Sequence, residues 1–565
     1  MSKKTNQSRR DFLSNASLMG ASAMVPAPFE RLLDLMTRGF ISKAQADAAG
    51  ATTSRNYIGI LMAGAPSRYV FDHWMRTNAS DPQMQFNPMV ATKYINSGGV
   101  AGGLEYSTFN YKNVLVPHMF SHSVFKGDGS KRPLTDYLNN MLVIRGFASG
   151  LDGHQFNANL QQSPVGGTSS LTGLAADYSQ KTFEAIQWPD RGSYRSYTSS
   201  KSKALNIVSG GQPIHNLLAG FGNPSPGLEA ARNLKNRQRA AFDLAQDRLK
   251  TYIKSDSLGA SNLGLNLSNA STLMKKGVGS LDSYWGPAFA RYKYVIEASM
   301  RESGLAGISD MALISAQNAQ WNVHVASGNR GLTLSSGADL RTSIASMVAA
   351  DFLAEGLALA EYVLKENLVS SIDLMAGNFN NLALLEAGTG ALAIHTMITD
   401  MHETGCFPSV ILNTAYYRGL TAGLLELADQ LKKTTVNGTD VWSNTVVQVL
   451  SDFGRSARSA GSGSDHGFNQ LVTSVFSGAV QNGPFVVGNI RVSGNDPAVY
   501  AGTQGVAQAI DGYNQSGQPT PVMAASTVAE LLNVTKNPYE NLAAPLVDLN
   551  GSTLTVKHAA KLVAV

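Results

Sequence analysis

Short apolar runs alternate with longer amphipathic stretches along most of this chain, and that alternation confines it to an α/β architecture. Tyr57-Ile58-Gly59-Ile60-Leu61-Met62-Ala63 stops at Gly64-Ala65-Pro66-Ser67, the pattern of a fully buried strand ended by a turn. Met141 to Gly146 repeats the pattern, and Leu205 to Val208 is a weaker copy. Leu368 to Met375, Thr445 to Leu450, Val472 to Phe476 and Phe485 to Ile490 read as further strands. Between them, Leu228, Ala231, Leu234, Ala241, Leu244, Leu249 and Ile253 recur at helical spacing among charged residues. Further helices are expected over about Trp285 to Met300, Thr342 to Asn367, Phe379 to Ile398, Ile411 to Lys433 and Ser526 to Val534. Residues from about 75 to 135 read as loops with short excursions. The economical arrangement is a mostly parallel, doubly wound sheet with helices on both faces and a helical insertion over about 226–300.

The start of the chain constrains its destination. Ser8-Arg9-Arg10-Asp11-Phe12-Leu13, preceded by Lys3 and Lys4, reads as a twin-arginine export signal. The mildly apolar stretch that follows is too short and polar to span a bilayer stably, which wants about 20 apolar residues. A leader over 1–48 is therefore expected, followed by a single α/β domain over 55–565. Cleavage fits either Ala44-Gln45-Ala46 or Pro26-Ala27. The protein is expected in the periplasm or outside the cell, with the twin-arginine export machinery as a partner and no stable membrane span after cleavage.

Composition narrows the function classes. Apolar residues make up 43% and charged residues 15%, which excludes a disordered chain. The net charge of +5 lies partly in the leader, so no nucleic-acid partner is expected. Cys406 is the single cysteine, so an internal disulfide is excluded. It reads as an inert thiol, since no activating group beyond His402 is evident. No dinucleotide fingerprint, cysteine motif or haem attachment pattern supports a redox enzyme.

In an open α/β sheet, ligands bind beyond the carboxyl ends of the strands. Ser67, Arg68, Asp72 and His73 follow the first strand, and Asp152 and His154 follow the second. Asp400 and His402 precede a long helix, while Asp452, Arg455, Arg458, Asp465 and His466 follow the Thr445 to Leu450 run. His154, His402 and His466 thus each sit near a carboxylate just past a strand end. Carboxylate oxygen and imidazole nitrogen suit zinc or manganese. Arg455 could clamp an anionic ester through paired hydrogen bonds, or latch a neighbouring carboxylate.

At these residues the chain resembles the twin-arginine-exported, sulfatase-like proteins of the alkaline phosphatase superfamily. Gly64-Ala65-Pro66-Ser67 resembles that family's Gly-Gly-Pro-Ser, and Leu142 to Gly146 followed by Gly153-His154 is similar to its second strand and Asn-His segment. Thr399-Asp400-Met401-His402-Glu403 resembles Trp-Asp-Thr-His-Gly, and Ser451-Asp452-Phe453-Gly454-Arg455 resembles Ser-Glu-Phe-Gly-Arg. Gly463-Ser464-Asp465-His466 is similar to Gly-Arg-Asp-His, and Pro521 to Leu532 to a late helical element. The resemblance covers roughly residues 55 to 550 and implies an alkaline-phosphatase-like fold with a two-metal centre that hydrolyses phosphate or sulfate esters. The chain departs from that pattern. Val70 falls near the strand-end metal-binding Asp, with Asp72 displaced; His154 stands where the hydroxyl nucleophile would be, and Phe453 where a histidine would be.

Two functions are expected from different classes. One is a divergent metal-dependent hydrolase of anionic phosphate or sulfate esters. Asp400, His402, Asp452 and His466 would hold zinc or manganese, Asp465 would be a ligand or base, His154 a general acid or base, and Arg455 a charge-steadying group. The other is a non-catalytic binding or assembly protein on the same scaffold.

Overall fold

The computed structural model describes residues 54–77, 88–95, 103–208, 284–302, 319–331, 345–491, 506–508 and 520–557, apart from short gaps within those spans. The expected leader and the amphipathic stretch Pro226 to Ile253 lie outside the described residues.

An 8-stranded sheet forms the centre. Its strands are β1 (Asn56–Met62), β2 (Met141–Phe147), β3 (Ala185–Gln187), β4 (Leu205–Ile207), β5 (Ser371–Ala376), β6 (Thr445–Ser451), β7 (Leu471–Ser477) and β8 (Phe485–Val487). Their spatial order is β4-β3-β5-β1-β6-β7-β2-β8. Only β7 runs against the rest: it pairs antiparallel with β6 and β2, whereas the other neighbours pair in parallel. In β1, Tyr57 lies beside Ser371 on one side and Val446 on the other. The central strands are buried along their whole length, which explains their unbroken apolar reading.

Helices cover both faces. They include α1 (His154–Gln162), α2 (Leu171–Asp177), α3 (Asp351–Lys365), α4 (Cys406–Lys432) and α5 (Pro521–Leu531). Alternation along β1 divides the core. Ile58, Ile60 and Met62 join a cluster with Leu357 of α3, Leu420 of α4 and Ile296 of a helix over 284–301. Tyr57 joins Leu171 of α2 and Val528 of α5 in a second cluster, and Leu61 meets Ala158 of α1. Each such fully buried aliphatic side chain contributes roughly 1.5–3 kcal/mol relative to exposure. The expected α/β layering is present, with most strands and helices where the apolar pattern puts them.

Several elements differ, helices α1 and α2 among them, which the apolar pattern did not announce. The stretch Phe379 to Ile398, expected as helix, forms two antiparallel strands, Phe379–Leu385 and Leu392–Met397. They lie in a 5-stranded sheet with Asn322–Val325, Gly328–Gly331 and Val348–Ala349. A dense apolar run fits either period, so the pattern could not choose. The local chemistry decides: Asn381 has φ 57° where the register shifts, a conformation no helix interior accepts. Strand β3 was not anticipated, because three residues are too few to display a period.

Candidate metal centre

Because β1, β2 and β6 run in parallel sense, the segments leaving their carboxyl ends meet at one rim of the sheet. After β2 come Asp152 and His154, the latter opening α1. After β6 comes Asp452. The hairpin Gly454–Ala457 and Ser464–Gly467 then carries His466 opposite Arg455 before the chain enters β7. Asp400 and His402 enter from the turn after Leu392–Met397.

The rim gathers three histidines from these separate segments. One ring nitrogen from each of His154, His402 and His466 lies within 4.8 Å of the others. The rings contact edge to face, with centroids 4.7 Å apart for His154 and His466 and 4.5 Å for His402 and His466. Their side chains are 21%, 28% and 19% exposed, so solvent reaches the cluster.

Each histidine turns Nδ1 to its own carboxylate. His154 Nδ1 is 2.7 Å from Asp452 Oδ2, His402 Nδ1 is 2.8 Å from Asp400 Oδ1, and His466 Nδ1 meets Asp152 Oδ1. An ionised carboxylate only accepts hydrogen bonds, so a neutral imidazole at His154 or His466 carries its hydrogen on Nδ1 and a lone pair on Nε2, whereas the His402 Nδ1 also lies 3.2 Å from the donor Arg455 Nη1. The Nε2 of His466 is buried and has no hydrogen-bond partner among the described residues. Carboxylates behind the outer nitrogens of metal-binding histidines orient the rings in this way.

The carboxylates are themselves held. Asp452 is fully buried at the end of β6, and its Oδ2 also accepts the Gly64 N–H at 2.9 Å. Gly64 permits that approach: its φ is +86°, and a Cβ there would stand 2.9 Å from Thr399 Oγ1. Asp400 Oδ1 accepts from Arg455 Nη2 at 2.7 Å and from the His402 N–H at 3.1 Å. Burial raises the Asp400 carboxyl, but the His402 hydrogen bond and the Arg455 charge outweigh it and hold the group far below the usual carboxylate range. A hydrogen bond from His466 likewise lowers Asp152. Burial lowers the His466 imidazole, with the Asp152 bond opposing it. The other Asp400 oxygen, Oδ2, lies 3.7 Å from His154 Nε2.

The expected site residues therefore take different places. His402 and His466 present nitrogens to the cluster, as expected for ligands. His154, expected as general acid or base, stands with them as a third nitrogen donor. Asp400 and Asp452, expected as ligands, bear on the histidines from behind. Arg455, expected to steady an ester, is 1% exposed and donates from Nε to the Ala65 carbonyl at 2.8 Å and from Nη2 to the Gly64 carbonyl and Asp400. Those bonds make it a latch for the Asp400 carboxylate. Asp465, expected as ligand or base, pairs with Arg458 at 2.9 Å and 3.2 Å, since neighbouring strand residues point to opposite faces. Asp152 was not anticipated as an anchor. Its only signal was the Asp-x-His spacing with His154, and it serves His466 instead. Cys406 is buried, and burial pushes its thiol up to about 12, in keeping with an inert residue.

No family model, curated protein or solved structure matches this chain.

Proposed function

We propose that this chain is an exported, metal-dependent ester hydrolase on an alkaline-phosphatase-like scaffold, with a single divalent ion held by His154, His402 and His466. One observation carries the reading: three histidines, each with a carboxylate at Nδ1, bring one ring nitrogen apiece within 4.8 Å of one another, and the His466 Nε2 is buried without a hydrogen-bond partner among the described residues. Three nitrogen donors with an open fourth position suit zinc in a hydrolytic role. Bound there, the ion supplies Lewis acidity and an activated water at neutral pH.

The chain's own residues perform the rest. Asp452, Asp400 and Asp152 orient the rings and make them better donors. Arg455 keeps Asp400 ionised. The Phe453 ring packs against His154 and His466, with centroids 4.6 Å and 4.2 Å away, and limits their rotation. No hydroxyl occupies the position of the expected nucleophile, so water is the attacking group in this reading. The resemblance directs such a hydrolase to phosphate or sulfate esters, and the leader to the periplasm or beyond.

Metal analysis tests the centre. Purified protein incubated with zinc or manganese and then dialysed should retain about one ion per chain, as a three-histidine site would. His154→Ala, His402→Ala and His466→Ala should each abolish retention with the circular dichroism spectrum unchanged. A chain that retains no ion, or variants that retain as much as the parent, would end the proposal. The competing reading, a non-catalytic binding or assembly protein, predicts unaltered function in the cell for folded His154→Ala/Asp452→Asn.

A further inference from the structure

The three carboxylates behind the histidines are not held alike. Asp452 is fully buried, and Asp400 is gripped by Arg455. Asp152 is 61% exposed and lies in the loop between β2 and α1. A side chain so exposed has several rotamers open to it, and a loop backbone is the most mobile kind. Meeting His466, 314 positions further along, therefore requires that the loop itself be fixed.

Asn157 fixes it. This residue of α1 is 0% exposed. Its Nδ2 donates to the Leu151 carbonyl at 2.8 Å and to the Gly153 carbonyl at 2.9 Å, the residues on either side of Asp152. Its Oδ1 accepts from the Ser149 hydroxyl. One amide thus spends both donors and its acceptor on the loop that carries Asp152. Gly153 enters α1 at φ 120° with no side chain capping the helix from in front, so Asn157 closes the turn from inside. The same loop is tied to the hairpin side of the centre, because the Ser149 N–H donates to the Phe468 carbonyl at 3.0 Å, just beyond His466. Gln161, one turn further along α1, serves another segment. It is 2% exposed and donates to the carbonyls of Ser451 at 2.5 Å and Asp452 at 3.3 Å.

We infer that Asn157 is a positioning residue for the three-histidine centre, setting the loop that places Asp152 on His466 Nδ1. This deepens the metal reading and rests on it. A buried asparagine that only stabilised α1 would affect zinc binding equally with Asp152 present or absent. One that acts through Asp152 loses its effect once that carboxylate is gone.

A pair of double-variant cycles on the full chain makes the distinction, read as zinc affinity in competition with a chelator. Asn157→Ala should weaken zinc binding by about tenfold in the parent, the scale of losing a group behind a ligand, and by less than about twofold in Asp152→Asn. Gln161→Ala is the control, and its effect should agree within about twofold in the two backgrounds. Should Asn157→Ala fail to fold, the smaller polar change Asn157→Ser takes its place. Equal effects of the Asn157 variant in both backgrounds would overturn the proposal. Hydrogen exchange without zinc separates this inference from the metal reading. The Ser149 amide should exchange about tenfold faster in the Asn157 variant and at the parental rate in Gln161→Ala. Unchanged Ser149 exchange in the Asn157 variant would overturn the proposal. A parent that retains no zinc yet shows the exchange difference would sink the metal reading and leave Asn157 as the residue that sets the Asp152 loop.

Discussion

Two clusters of ionisable side chains pack against the central sheet, and they treat histidine in opposite ways. His73 is 1% exposed and wedged between Tyr69 and Trp74, with ring centroids 4.9 Å and 5.0 Å away. Burial, with the Arg145 and Arg68 charges adding to it, pushes its imidazole down to about 3. Arg68 beside it is paired with Asp72 and reaches the Val449 carbonyl and Ser474, while the His73 Nε2 is buried with no hydrogen-bond partner among the described residues. At the rim, His154, His402 and His466 are partly exposed, and each faces a carboxylate. The contrast teaches what separates a sealed histidine from an accessible one. Polarity is common to both clusters. What differs is a carboxylate at one ring nitrogen and access to solvent, which the rim histidines have and the sealed His73 ring lacks.

The comparison can be broken most severely on the closed side. Arg68→Leu should cost about 3–5 kcal/mol in denaturant unfolding, because it strands Asp72 in the core, while zinc retention by the folded fraction stays normal. A smaller loss, or coupled loss of zinc, would mean the clusters are not independent. On the open side, His466→Ala should weaken zinc binding by about 100- to 1000-fold in competition with a chelator. That estimate divides the roughly 10–16 kcal/mol of a structural zinc site among four ligands. Stability without metal should barely change.

Acid sharpens the contrast. His73 protonates near 6.5 in the unfolded chain and at about 3 in the folded one, so the unfolded state binds the extra proton between those values. Stability is therefore lost as pH falls from about 6.5 toward 3, and this group accounts for about 3 kcal/mol of the loss by about pH 4.5. The stability gap between the parent and His73→Asn should narrow over that window. A gap independent of pH would contradict the burial argument. Asp152→Asn should weaken zinc binding by about 10- to 100-fold, at the lower end because Asp152 is 61% exposed. Asp465→Asn should have the smallest effect: below about 1 kcal/mol in stability, since Arg458 is 31% exposed, and none on zinc. An Asp465 variant that lost its ion would put this residue back among the ligands.

Much of this was legible beforehand. Fully buried strands such as Tyr57 to Met62 and Thr445 to Leu450 announce themselves as unbroken apolar runs, and the parallel sheet then dictates which loops share a rim. The three histidines near strand ends could therefore be named together. Their pairing with carboxylates was not legible. Two Asp-x-His motifs have the same spacing, yet Asp400 holds its own neighbour while Asp152 holds His466, which is 314 positions away. Sequence adjacency also hid the partner of Asp465, because strand alternation sends it to Arg458 and His466 to the opposite face. The burial of Arg455 depends on the Gly64-Ala65 carbonyls, contacts 391 and 390 residues distant that no local pattern encodes.

The span of those pairings has a consequence for biogenesis. His154 depends on a residue 298 positions further along, so neither half of the polypeptide contains a usable pocket for an ion. On the proposed metal reading, capture waits until the sheet has closed through β6 and the hairpin that follows it. Metal content would then serve as a certificate of completed assembly. On the proposed export route, loading would belong to the compartment of synthesis, before departure.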